Sequence, residues 1–279
     1  MQRLILLAVP AFVLVLVPSA PGKRAAAPNP IQRAFQAEVV VVGKVSAIEK
    51  ETVEAAESPG AAKIAYTIAV VKVDESISGA ANLTHVKVGF VPADPNAPRR
   101  SGAAPAALAV NQEALFFLSK HPSGQFYVFN GMSSPVDATA ENYKATIVSV
   151  KKAFEVVSDP AKALKAEKPD ARAFAASVLV IKNRTVPNGG EVGIEKMSVV
   201  ESHRILAAFA ESDWAKYDPI LPPPASVFYM LGLTAEDGWA APKPQPGSDF
   251  NAELHKAFAK WVEGAGKEYR MNKMVVKVK

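Results

Sequence analysis

The sequence predicts an α+β chain in which a small β-barrel precedes a helical domain. Three observations carry that expectation. From Glu38 to about Asn130 apolar residues come in short runs or in alternation, separated by turn residues. After Asp137 the apolar spacing changes to three and four residues. The 279 residues, 49% hydrophobic and 21% charged, suffice for one large or two small domains with real cores.

The elements follow in chain order. Val39–Val42 with Gly43-Lys44-Val45 forms a buried first strand, Gly43 marking a bulge or sharp bend. Ile64, Tyr66, Ile68 and Val70 alternate and then change phase to Val71 and Val73, as one bulged residue would cause. Val86, Val88 and Phe90 mark a third strand, Ala114–Leu118 a fourth, and Phe126–Phe129 a fifth after the turn His121-Pro122-Ser123-Gly124. Between the third and fourth lies a long Pro/Ala/Gly segment, 92–107, carrying Arg99 and Arg100.

The helical half opens with Tyr143, Ile147, Val150, Phe154 and Val157, and Asp159-Pro160 closes that helix and caps the next. A helix over 171–182 buries Phe174, Val178 and Ile181, with Asp170 as its candidate cap. Ser198 and Glu201 form a capping box before Ile205, Leu206 and Phe209. A Pro-rich break at 219–224 precedes a short helix over 225–231, and Asp249 caps a last helix that buries Leu254, Phe258 and Trp261. The expected division is 1–20 signal peptide, 21–37 spacer and short helix, 38–136 barrel, 137–266 helical domain and 267–279 basic tail.

Export is read from the first twenty residues. Arg3 precedes an apolar run from Leu4 to Val17, and small residues follow at Ser19 and Ala20. The run is shorter than the about 20 residues a bilayer span requires. The expected location is therefore secreted or periplasmic, with an N-terminal anchor as the alternative if the signal is not cleaved. Of the +5 net charge, the tail contributes +4 and Arg3 +1, so the body is neutral. That argues against a nucleic-acid surface. The tail suits an edge strand protected by lysines better than it suits a polyanion contact.

Ala37–Val45, the later Val71-Lys72-Val73 and Val86-Lys87-Val88, and Gln112-Glu113 before Leu115-Phe116-Phe117-Leu118 follow a recognisable order. That order resembles the netrin-like and tissue-inhibitor-of-metalloproteinase-like OB barrels, and uncharacterised bacterial exported proteins. The resemblance covers about a third of the chain and implies an OB-like barrel with a binding role. Inhibitors of this kind chelate a metal through an N-terminal cysteine. This chain has no cysteine, so that mechanism has no residue to carry it. OB barrels bind oligonucleotides or oligosaccharides on one face. Tyr66, Phe90, Phe126, Tyr127 and Phe129 could stack there, although strand aromatics more often fill cores.

Other chemistry finds little support. The four histidines, His85, His121, His203 and His255, make no His-x-x-x-His pair, so neither metal nor cofactor is expected. No Gly-x-Ser-x-Gly elbow occurs, and Ser149-Val150-Lys151-Lys152 lies on a helix. Gly264-Ala265-Gly266-Lys267 fits a helix C-terminus with left-handed glycines rather than a phosphate loop, and Asn188-Gly189-Gly190 fits a turn between helices. Trp214, Trp239 and Trp261 fit a helical core better than an aromatic platform.

Binding is expected in preference to catalysis. The partner would be an envelope or extracellular protein or polysaccharide, met through Arg99, Arg100 and Tyr127. The alternatives are an envelope hydrolase using Asp/Glu acid–base chemistry and a purely structural envelope protein.

Overall fold

The computed structural model describes residues 29–92, 107–129, 134–187, 190–244 and 246–277. The segment expected to be a signal peptide, most of the expected spacer, Arg99 and Arg100 lie outside the described residues. Helix α1 (Pro30–Gln36) begins at Asn29, whose side chain accepts from the Ile31 amide (2.8 Å). The barrel strands follow as β1 (Val39–Ile48), β2 (Val53–Ala56), β3 (Lys63–Ser78), β4 (His85–Phe90), β5 (Glu113–Lys120) and β6 (Tyr127–Phe129), with β7 (Val136–Asp137) beside β5.

Five strands close in the order β1-β3-β4-β6-β5 and back to β1, the β4–β6 contact parallel and the others antiparallel. This is an OB-like barrel, and β2 folds onto β3 as a short flap. Side chains alternating along each strand fill the interior with Val41, Val71, Val86, Val88, Phe116 and Leu118. Gly43 sits at a register shift between β1 and β3, where Val42 faces Glu75 and Gly43 faces Val73, so the extra residue is Asp74 of β3; an added Cβ on Gly43 would lie 2.5 Å from the Lys72 carbonyl oxygen. The apparent phase change in β3 has a different cause. Tyr66 and Ile68 are buried on its outer face and Ala69 and Val71 on its inner face, while the register shift opposite them falls between Val45 and Ala47 of β1.

The second half contains α2 (Tyr143–Ser158), α3 (Pro160–Ala163), α4 (Pro169–Arg184), β8 (Glu191–Lys196), α5 (Val199–Ala210), α6 (Pro224–Met230), α7 (Phe250–Glu263) and β9 (Asn272–Lys277). Asp159 accepts from the Lys162 amide (3.0 Å), and Asp249 from those of Asn251 and Ala252. Asp170 is not the cap of α4: Lys168 occupies that position and Asp170 lies in the first turn, where its charge suits the helix dipole. Gly190 leads into a strand, not a helix, because β8 pairs antiparallel with β9. Gly264 ends α7 at φ −108°, outside the left-handed region, and a short 3-10 turn continues from Ala265. The basic tail thus forms an edge strand, with Lys277 on Glu191 (2.6 Å).

The halves share one core. Val40, Leu115 and Phe117, on the outside of the barrel, join Ile31 and Phe35 of α1 and Val150, Phe174 and Val178 of the helices. Among the described residues no helix is long and apolar enough to cross a membrane.

Candidate functional site

The face across β3 and β4 is where an OB barrel customarily receives a ligand. Here it carries Gly89 and Tyr66, and the β5–β6 turn folds back across it. The Phe126 ring lies so close to Gly89 that an added Cβ would meet two of its carbons at 2.4 Å. His121 stacks on that ring, with centroids 4.5 Å apart, and Tyr66 packs against both at 4.9 and 5.1 Å. Tyr66, His121 and Phe126 are all buried, and Ala55 of β2 adds to the cover. The face is closed by the chain's own side chains.

The turn is fixed through His121. Its Nδ1 accepts from the Ser123 amide (3.1 Å), which leaves the proton on Nε2, and Nε2 is buried with no partner among the described residues. Burial holds this imidazole below the usual histidine range, against the opposing pull of Glu57.

Tyr127 begins β6, opposite Lys120 of β5 and Val88 of β4. It is half-buried and leans on the barrel interior, as does Phe129. Phe90 is buried there too, so of the five strand aromatics only these two have partly free rings. Residue 92 leaves the barrel at the end of β4. The chain returns at Leu108, buried inside the barrel, and at Asn111, whose amide donates to the Val45 carbonyl (2.8 Å). Tyr127 thus lies at the Lys120 end of β5, whereas the chain re-enters the barrel at the opposite end of that strand, and Arg99 and Arg100 fall within 93–106, outside the described residues.

Other groups with chemical potential are tied into structure. Asp137 accepts from the Thr139 amide (2.9 Å) and hydroxyl (2.7 Å) and from Gln112 (2.9 Å), and these bonds hold its carboxyl below the usual range. Burial first, then the neighbouring Glu113 carboxylate, pushes the Tyr143 phenol up to about 12. Arg33 is buried with its guanidinium 4.4 Å from the Phe117 ring centre, and burial pulls it down to about 10. Trp214 and Trp261 are buried and Trp239 partly so, all around Phe228 and Phe258. His255 stacks on Trp214 and lies 2.7 Å from the Ala210 carbonyl. His85 is exposed at the start of β4, and His203 is half-buried on α5.

A cavity of about 410 Å³ between the start of α4 and the 212–224 segment gathers three aspartates, Asp170, Asp213 and Asp218, with Lys152, Lys168 and Lys216. Asp218 accepts from the Ser149 hydroxyl (3.0 Å) and the Ile220 amide (2.8 Å). Asp213 accepts from the Ala215 amide (3.0 Å) and pairs with Lys216 (3.8 Å). It is an ion-studded recess with its aspartates largely occupied. Among the described residues no group of three or more His, Cys, Asp or Glu side chains could hold a metal.

Sequence reasoning missed the closed face and a second, cation-lined groove between α3, α5 and the two-stranded β8–β9 ribbon. An isolated glycine inside the Val86–Phe90 strand was the available signal for the first. Lys182 and Lys273 stand about ninety residues apart, so the groove had no local signal. No protein-family model matches the chain, and no curated protein matches it either.

Proposed function

We propose that the chain is an exported, non-catalytic binding protein of the cell envelope or extracellular space, its barrel rim meeting a protein or polysaccharide partner. The observation that carries this reading is the closed β3–β4 face. With Phe126 seated on Gly89 and the interior filled, the β3–β4 face has no cleft for a substrate among the described residues and leaves a partner the rim and loops. Tyr127 opens β6 and is half-buried, and the 93–106 segment with Arg99 and Arg100 follows β4 in the sequence. Export rests on the leader from Arg3 to Ala20. The likeness to netrin-like barrels supports a role played by contact. A hydrolase would draw on the Asp170–Asp213–Asp218 cavity, but the hydrogen bonds of Asp213 and Asp218 leave no free carboxyl pair there.

The test is photo-cross-linking from position 127 of the full chain in its own envelope fraction, repeated with Arg99→Ala/Arg100→Ala. The reading expects a discrete adduct that the double substitution reduces severalfold. No adduct, or one indifferent to both arginines, would remove the rim as the contact surface.

A further inference from the structure

We propose that the groove between α3, α5 and the two-stranded β8–β9 ribbon docks an acidic peptide segment of a partner protein. The groove consists of two recesses, of about 540 and about 420 Å³, which share Ala161, Leu164 and Arg204 in their walls. Val157, Leu164 and Met197, all half-buried, supply apolar surface over a floor closed by the buried Leu179 and Ile205. Lys182, Lys196, Arg204 and Lys273 surround the larger recess, and Lys165 and His203 flank the smaller.

These cations lack counterions. Among the described residues none of Lys182, Lys196, Arg204 and Lys273 has a carboxylate within 4.0 Å. Glu195 and Glu201 also line the larger recess and Glu211 the smaller, so in the larger the cations exceed the carboxylates by four to two. Glu201 accepts from the Ser198 hydroxyl (2.8 Å), Glu211 lies 3.7 Å from Arg172, and Glu195 stands opposite Lys273 in the strand register without an ion pair. Burial, and then the charge of Lys273, pulls the Lys182 ammonium below its usual value. Two like charges held at one cavity repel, and an anion placed between them converts that repulsion into attraction.

The shape selects the class of anion. Two joined recesses with apolar walls and a cationic rim match a chain that presents leucine-like side chains inward and carboxylates outward. A bare phosphate would leave the half-buried Val157, Leu164 and Met197 in water. A flat lipid surface would not reach a floor recessed between α5 and the β8–β9 ribbon. This groove is separate from the barrel rim, so either site can fail without the other.

The test is fluorescence anisotropy on the full chain at low ionic strength, with a labelled, end-capped dodecapeptide of Glu-Glu-Leu repeats. The proposal expects saturable binding that weakens at least tenfold in Arg204→Glu/Lys273→Glu and returns in Arg204→Lys/Lys273→Arg. Both residues are exposed, so these changes leave the core intact. Arg204→Ala/Lys273→Ala, expected to weaken binding at least threefold, gives the same reading should the reversal misfold. Lys50→Glu/Lys63→Glu on the barrel and Arg99→Ala/Arg100→Ala are expected to bind as the parent does. Unchanged binding in the groove variants, or equal binding of a Lys-Lys-Leu peptide, would overturn the proposal. Displacement by tripolyphosphate below the peptide's own concentration would overturn it in favour of a phosphate site. Equally tight capture by phosphatidylglycerol vesicles would do so in favour of a membrane.

Discussion

Gly89 has no room for a side chain, since a Cβ there would press into the Phe126 ring at 2.4 Å. Gly89→Ala is expected to cost about 1–3 kcal/mol in urea unfolding, the range for overpacking. Most of that cost should vanish in a Phe126→Ala background, because the obstacle is then gone. His121 makes the same closed face sensitive to acid. Its pKa is depressed in the folded chain, so the unfolded chain takes up the proton more readily. The stability it contributes is therefore present above the ordinary histidine value and is lost as pH falls through the lower folded value. Protonation also replaces the acceptor that the Ser123 amide uses with a donor. The drop in urea midpoint from pH 7.5 to pH 5 should be smaller in His121→Phe than in the parent, and an equal drop would exclude this role. The sequence reveals that Val86, Val88 and Phe90 point one way. It does not reveal that Gly89, on the other side, lies under a ring from a turn nearly forty residues later.

Elements whose stability is local were legible, and those held by distant partners were not. The Ser198–Glu201 pair is a local device, half of the expected box: Ser198 accepts from the Glu201 amide (3.2 Å), while the Glu201 carboxylate takes the Ser198 hydroxyl (2.8 Å) and not its backbone N–H. Ser198→Ala is expected to lower stability by about 1 kcal/mol, and Ser198→Asp should retain most of it, both read by thermal unfolding. The five barrel strands alternate strongly enough to be seen, as do the caps at Asp159 and Asp249. The strand β8 escapes such reading because Val192 and Ile194 are exposed and its hydrogen bonds come from β9, some eighty residues away. The groove is hidden for the same reason: Lys182, Arg204 and Lys273 come from three elements that only the tertiary fold brings together. Of the three residues expected to bind a partner, Tyr127 alone lies among the described residues.

At the scale of the whole molecule, both broad surfaces of the barrel are already occupied. Phe126, Tyr66 and His121 cover one, and the helices cover the other through Val40, Leu115 and Phe117. Alternation along β1 and β5 assigns every second residue to the barrel interior. It is silent on Leu115 and Phe117, which face the opposite way and are as fully buried. Phe117→Ala is expected to cost about 3–5 kcal/mol, since it empties a site in the shared core and leaves the buried Arg33 without its ring. Trp214, Trp239 and Trp261 all lie in the helical half, so tryptophan fluorescence reports that half alone, while hydrogen exchange at β1 and β5 amides reports the barrel. The most direct measurement follows both signals across one urea titration. A barrel built into a common core predicts superimposable transitions with a single midpoint that Phe117→Ala moves equally for both probes. Separate midpoints, with β1 and β5 still protected after the tryptophans are exposed, would contradict it and make the barrel an independent domain.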